Sequence, residues 1–293
     1  MKIYDCFMYY DEDLVLDLRL NILSKYVDKF IINESLFTHS GKPRSLKFKL
    51  ENFSKFKDKI EYKVIENLPD NLQKIDKNDS SEEKENKIII NALKRENYQR
   101  NRLLDQKDSW NDNDIIIISD VDEIPNLENF NLKKTFSFFI QKMYYYKFNL
   151  KHPKLNWIGS RACRKKNLKG AQWLRNIKAK KYPFFRLDIF FSNKKYFNID
   201  FINNGGWHFT SVKKPEDIHF KLSNFLHHYE FEETNIGIKE MEKFIKEKKV
   251  LYDHSVDQRK SKWNSEITLV KSNMDELPMY ISENLQKYKD WLD

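Results

Sequence analysis

The sequence predicts an α/β fold, a mostly parallel central sheet flanked by helices. Two observations carry this expectation. A strand, a helix and a second strand follow one another within the first 34 residues, the order of a βαβ unit, whose crossover helix joins parallel strands. Further on, residues 114–119 (DIIIIS) form an apolar run without alternation, as suits a central parallel strand covered on both faces.

The elements follow in order. Residues 2–9 (KIYDCFMY) read as the first strand. Residues 13–26 carry apolar side chains at helical spacing, with Asp11 or Asp13 as N-cap. Residues 27–34 (VDKFIINE) read as the second strand. Residues 35–49 are a polar and basic loop holding Gly41 and Pro43, and residues 60–66 (IEYKVIE) suit a third strand. The charged stretch 70–87 is expected to be exposed or mobile. Residues 88–107 read as a helix with Arg95, Gln99 and Arg102 among its polar positions. The 114–119 strand then ends in Asp120-Val121-Asp122-Glu123-Ile124-Pro125. Beyond it, the aromatic-rich residues 136–150 are expected to be β, and 182–191 (YPFFRLDIFF) and 195–202 extended. Residues 215–228, 237–249 and 280–292 read as helices. No repeat or linker divides the chain, so one domain is expected over 1–293.

Composition sets outer bounds. The chain has 293 residues, 40% hydrophobic, with 22 Phe and 15 Tyr, enough for a sizeable core and unlike a disordered chain. A net charge of +9 favours anionic partners such as nucleic acid, an anionic membrane or phosphorylated substrates. Lysines dispersed over helix faces account for the same charge through solubility alone. Cys6 and Cys163 lack metal-ligand spacing. Cys6 reads as a buried thiol, and the pair suits a reducing cytoplasm. No signal peptide is read at the start, and no run reaches the roughly 18 apolar residues of a membrane span. A soluble protein, at most peripheral to a membrane, is the expectation.

Asp120-Val121-Asp122 is the sharpest chemical signal. Ligands of open α/β sheets sit beyond the carboxyl ends of the strands. Two carboxylates one residue apart at such an end can converge on a hard cation. Mn²⁺ or Mg²⁺ would keep positions open for diphosphate oxygens. An acidic surface turn closed by Pro125 is the bland alternative, which the preceding apolar strand disfavours. Glu123 is either a catalytic or supporting carboxylate, or a helix-start residue.

Gly205-Gly206-Trp207-His208-Phe209 is the second signal. The only Gly pair of a glycine-poor chain permits close backbone approach or positive φ. Trp207 offers a flat face to a sugar or base, and His208 an imidazole to a metal. A tight turn with a core Trp and a hydrogen-bonded His is the structural alternative.

Together these blocks resemble glycosyltransferase family 17, the family that includes the enzyme adding bisecting GlcNAc. Asp11-Glu12-Asp13-Leu14 with Leu18-Arg19-Leu20-Asn21 resembles its acidic opening and first helix. Phe30-Ile31-Ile32-Asn33-Glu34-Ser35, Thr38 and Gly41-Lys42-Pro43-Arg44 resemble its second strand and basic loop, and Arg95-Glu96-Asn97-Tyr98-Gln99-Arg100-Asn101 the helix before the metal motif. Ser119 to Pro125 and Gly206 to Thr210, with Pro215-Glu216 and Phe220-Lys221-Leu222, match closely. The resemblance spans roughly residues 3–250. Residues 126–200, which would shape the acceptor site, match poorly, and no anchor like that of the animal Golgi enzymes is read.

The resemblance implies a GT-A-type, Rossmann-like fold, with 1–125 facing the nucleotide-sugar and 126–293 the acceptor. It implies inverting transfer from a UDP-sugar, UDP-GlcNAc first, to a glycan or glycoconjugate. Asp120, Asp122 and His208 are then the metal set. Glu34, Arg44, Arg95, Gln99, Arg100, Asp120, Gly206, Trp207 and Lys221 are donor-site candidates, with Lys42 beside them. Glu123, Asp188, Glu216 and Asp217 are candidates for the base that deprotonates the acceptor. Asp188, in an aromatic stretch, is expected to be buried with a raised pKa. The rival readings are a metal-dependent phosphohydrolase, which needs more clustered ligands, and a nucleic-acid-binding module, for which no RNP, KH or zinc motif appears.

Overall fold

The computed structural model describes residues 1–183, 185–225, 228–255, 262–263 and 265–293. Positions 184, 226 and 227 of the stretches predicted above lie outside the described residues. The chain opens with β1 (Ile3–Met8), α1 (Asp13–Leu23), β2 (Lys29–Ser35), β3 (Ile60–Ile65), α2 (Ser81–Asn101) and β4 (Ile115–Asp120). These strands lie in the order β3-β2-β1-β4 and pair in parallel throughout. The isoleucines of β4 show why that strand carries no polar alternation. Ile115 and Ile117 enter one core cluster and Ile116 and Ile118 another, on opposite faces of the sheet.

The second half departs from the expected parallel sheet. It adds β5 (Glu123–Pro125), β6 (Phe136–Tyr145), β7 (Leu150–Arg164), α3 (Ala171–Asn176), β8 (Ile199–Ile202) and β9 (Gly206–Thr210). There follow α4 (Pro215–Leu222), α5 (His228–Glu233), α6 (Ile238–Lys246), β10 (Val270–Lys271), α7 (Met279–Glu283) and α8 (Leu285–Tyr288). The sheet continues β4-β7-β6-β9-β5, with β10 on β7 and β8 on β6. β7 runs antiparallel to both β4 and β6, and β5 antiparallel to β9, whereas β8 and β9 run parallel to β6. The sheet is therefore mixed. The aromatic block 136–150 breaks at residues 146–149, where Tyr146 takes φ 63°, too short a link for a crossover. The chain must return beside β6 and so inserts an antiparallel strand against β4.

Local boundaries also shift for stated reasons. The cap position of α1 is Glu12, not Asp11 or Asp13. Its carboxylate accepts the backbone N–H groups of Tyr10 at 3.0 Å and Asp11 at 3.1 Å. α2 begins at Ser81 rather than 88, because Ser80 and Glu83 form a reciprocal capping box within the charged stretch. Among the described residues of 182–191 there is no strand: a 3₁₀ turn at Leu187–Ile189 sits in a surface loop. The helix predicted over 215–228 stops at Leu222, and the C-terminal helix divides into α7, α8 and a 3₁₀ turn. Among the described residues no helix is long and apolar enough to cross a membrane.

Arg19 ties these parts together. It lies within the apolar face of α1 and is fully buried with Asp5 of β1. Its Nε and Nη2 donate to the two Asp5 oxygens at 2.8 and 2.5 Å. Its Nη1 donates to the carbonyls of Asp120 and Val121 at 3.2 Å and of Glu123 at 2.7 Å. One guanidinium thus binds helix, first strand and the turn after β4.

Gly206 sets the neighbouring strand. Its φ is +121°, and a Cβ there would meet the Ile124 carbonyl oxygen at 2.1 Å. The glycine is needed for β9 to pair with β5, a packing role rather than approach to a ligand.

Two stability predictions follow from these contacts. Arg19→Met strands the buried Asp5 charge and three carbonyls, and should lower the unfolding free energy by about 3–5 kcal/mol in urea titrations. Gly206→Ala meets both backbone strain and the Ile124 carbonyl, and should cost about 2 kcal/mol or more in the same assay.

Candidate active site

A cavity of about 260 Å³ lies beyond the carboxyl ends of β1 and β4. The turn Asp120–Glu123 forms its floor, between Tyr9 and Tyr10 after β1, the α2 face bearing Glu96, Gln99 and Arg100, and β9 with His208 and Thr210. Lys221 of α4 and an aromatic wall including Trp157 and Tyr252 complete it. Positions 96, 99 and 100 share one helical face, which is why they meet the same cavity.

Every acid of the turn has cationic partners. Asp120 is held by Arg100 at 2.9 Å and by Arg175 at 3.1 Å. Desolvation in the cavity favours its protonated form, but the guanidiniums of Arg175 and Arg100 outweigh this and hold the carboxyl far below the usual carboxylate range. Asp122 lies 3.5 Å from His208 Nε2 and 3.8 Å from Lys221 Nζ. Burial again raises its pKa, yet His208 and Lys221 bring it down to about 2. The reciprocal effect appears on the bases. Burial would lower the His208 pKa, but the Asp122 carboxylate leaves it raised above 6.5. Lys221 is opposed by burial and raised by Glu12, 3.2 Å away, and by Asp122.

Glu123 is buried and saturated. Its Oε1 accepts Trp157 Nε1–H at 2.6 Å and Arg175 Nη2–H at 2.9 Å. Its Oε2 accepts the Asp120 backbone N–H at 2.9 Å and Arg175 Nη1–H at 2.6 Å. Four donors fill the roughly four lone-pair sites of a carboxylate. Room for this side chain comes from Gly159, where a Cβ would stand 2.6 Å from the Glu123 carboxyl carbon.

The cavity gathers Gln99, Arg100, Asp120, Asp122, Glu123, His208 and Lys221 from the sequence-predicted set. The other candidates lie elsewhere, for identifiable reasons. Glu34 is fully buried and accepts from the Lys47 and Phe48 N–H groups and the Tyr62 hydroxyl, so it fastens the loop after β2. Arg44 pairs with Glu34 at 2.7 Å and covers the Tyr10 ring at 4.1 Å. Arg95 donates to the His39 carbonyl at 3.0 Å beneath Gly41, and Lys42 is exposed. Strand alternation turns Trp207 away from His208. Its indole N–H reaches the Glu276 carbonyl at 2.7 Å, and its ring packs on the main core. Glu216 and Asp217 are exposed in the first turn of α4, outside the cavity lining. Asp188 is also outside it, on the surface rather than buried, with Arg186 at 2.8 Å and Lys195 at 2.7 Å. Those partners lower its pKa instead of raising it.

Sequence reading missed Arg175, Glu12, His39 and Trp157. Arg175 lies 52 residues beyond Glu123 in a stretch with no motif, so spacing gave no sign of it. Arg19, in contrast, is a lone cation in the apolar face of a helix, which marks it as paired.

Among the described residues no group of three or more His, Cys, Asp or Glu side chains is arranged to hold a metal ion. Asp122 and His208 nevertheless stand together, Asp120 lines the same cavity, and His208 Nδ1 is buried without a hydrogen-bond partner. One or two carboxylates completed by substrate phosphate oxygens are what Mg²⁺ commonly takes, so these residues fit such an ion.

The family model for glycosyltransferase family 17 matches residues 1–171. That stretch contains the whole parallel half of the sheet, Glu12, Arg100 and the Asp120–Glu123 turn, and stops short of Arg175, His208 and Lys221. No curated protein gives a match to the chain. Since the matched stretch takes in more than half of its residues and the entire acidic turn, the protein belongs to glycosyltransferase family 17.

Proposed function

We propose that the protein transfers a sugar, GlcNAc first among candidates, with inversion from a UDP-sugar to a glycan or glycoconjugate acceptor, in a GT-A-type domain. The observation that supports this reading is the placement of Asp120 and Asp122 at the carboxyl end of β4, in one cavity with Arg100 and Lys221, with Arg175 pairing to Asp120 from outside the cavity lining. Carboxylates and cations interleaved in that way suit a metal-diphosphate ligand, which carries charges of both signs. In this reading Asp120, Asp122 and His208 hold Mn²⁺ or Mg²⁺. The bound ion supplies Lewis-acid neutralisation of the leaving diphosphate.

The protein's own groups take the remaining roles. Arg100 and Arg175 fix the Asp120 oxygens, and Arg100, which lines the cavity, is the guanidinium placed to meet phosphate. Arg175 also locks Glu123, which makes that residue a positioning group, since no lone pair remains for an acceptor proton. Glu12 is then the better base. It lines the cavity, and its three donors are the Tyr10 and Asp11 N–H groups and Lys221, so one lone-pair site stays open. The aromatic wall, where Trp157 stands 5.3 Å from His254 and Tyr252 4.8 Å from it, offers flat apolar faces to a sugar ring.

The first test is calorimetric titration with UDP and UDP-sugars, with and without Mn²⁺. Binding should require the metal, and ligand at about 100 times its Kd should add about 2.7 kcal/mol of stability. Asp120→Ala and Asp122→Ala should abolish this; metal-independent binding that survives both substitutions overturns the reading. Glu12→Gln should keep donor binding while lowering kcat by about 10²–10⁴.

The second test uses pH. Without metal, the stability that His208 gains from Asp122 is fully present below its unfolded pKa near 6.5 and is lost as pH rises through its raised folded value. A metal needs the neutral imidazole, so Mn²⁺ affinity should increase across that same interval. In His208→Gln both slopes should flatten, measured by thermal melts and Mn²⁺ titration.

A further inference from the structure

The loop between α3 and β8 bears an apolar patch outside the cavity lining. Phe185, Leu187, Phe190 and Phe191 are 70%, 71%, 71% and 93% exposed. The loop is closed at its base, where the Lys178 N–H donates to the Lys194 carbonyl at 2.7 Å and the Trp173 indole to the Asn193 carbonyl at 2.8 Å. Ile189 is buried beneath it, so its apolar neighbours on either side are turned outward. Phe190 rests on Phe197 with ring centroids 5.6 Å apart. Large apolar side chains held this far into water mark a docking surface rather than a failure of packing.

Charge selects the occupant. Lys178, Lys180, Lys181, Arg186, Lys194 and Lys195 share this loop with the apolar residues, against a single acid, Asp188. That acid is already held by Arg186 and Lys195. Lys178, Lys180, Lys181 and Lys194 are exposed. Exposed aromatic side chains on a loop rich in exposed lysines suit the headgroup boundary of an anionic bilayer, where rings enter the acyl edge and ammonium groups meet lipid phosphates. A protein partner of ordinary composition would bring no such uniform negative field. We propose that the described residues of this loop, 178–183 and 185–195, dock the enzyme on anionic membrane surfaces. α3 leads into the loop and carries Arg175, so docking would fix the cavity's orientation relative to the bilayer.

The test is co-sedimentation of the full chain with vesicles of phosphatidylcholine alone, or containing about one third phosphatidylglycerol. It needs no sugar donor, so its result is separate from the transfer reading. The protein should bind the anionic vesicles at least about tenfold more tightly, and lose that preference at high salt. The doubles Phe190→Asp/Phe191→Asp and Lys180→Glu/Lys181→Glu should each weaken binding about tenfold or more, with unchanged melting temperature. The charge reversal alone still decides the matter if the aspartate double misfolds. Equal affinity for both vesicle types, or variants that bind like the parent, overturns the proposal. So does self-association of the parent that the phenylalanine changes abolish without altering vesicle binding, since the patch would then join copies of the chain.

Discussion

The buried pair of Arg19 and Asp5 carries the geometry on which the cavity depends. A charge inside an apolar helix face is costly unless every donor finds a partner. Here the five hydrogen bonds reach across three elements, so the first strand, the first helix and the acidic turn share one rigid joint. The carbonyls of Asp120, Val121 and Glu123 have no freedom to drift. Their side chains are consequently aimed by the core and not by the solvent-facing loop that a turn of this composition would otherwise be.

Above that joint the cavity balances its charges locally. Asp120 sits between two guanidiniums, Asp122 between an imidazole and an ammonium, and Glu123 within a closed set of donors. The partners of Asp120 and Asp122 keep those two acids ionised in a site that would otherwise favour their neutral forms. A cation entering beside Asp122 would compete with partners already in place, which links its binding to movement of His208 and Lys221. The membership in glycosyltransferase family 17 rests on the half of the chain that supplies the acids. Several of the cations come from beyond it.

The parallel half was legible because its signals are local. A βαβ order, an isoleucine run and an Asp-Val-Asp turn are each read within a few residues, and all stand where expected. The mixed half was not, because a reversal at residues 146–149 hides inside a continuous aromatic block. Composition misled twice more. The phenylalanines near Asp188 imply a core and instead lie on the surface, and Gly206 and Trp207 imply a ligand and instead serve strand packing. Arg175 was beyond reach for another reason, since long-range pairing leaves no periodicity or spacing to detect. Glu34 stands at a strand end and Arg44 in the basic loop beyond it, as expected, but their mutual attraction consumed the groups a ligand would have used.

The pairing of β5 with β9 has one more consequence. His208 faces the cavity only because it sits an odd number of steps from Trp207 and Phe209, and the carbonyl of Ile124 pressed against Gly206 fixes where that count begins. Inserting or deleting one amino acid between Gly206 and His208 would leave the composition of the strand almost intact yet exchange its two sides, turning imidazole toward the core and indole toward the cavity. This edge of the enzyme should therefore evolve by replacement and resist any change in length.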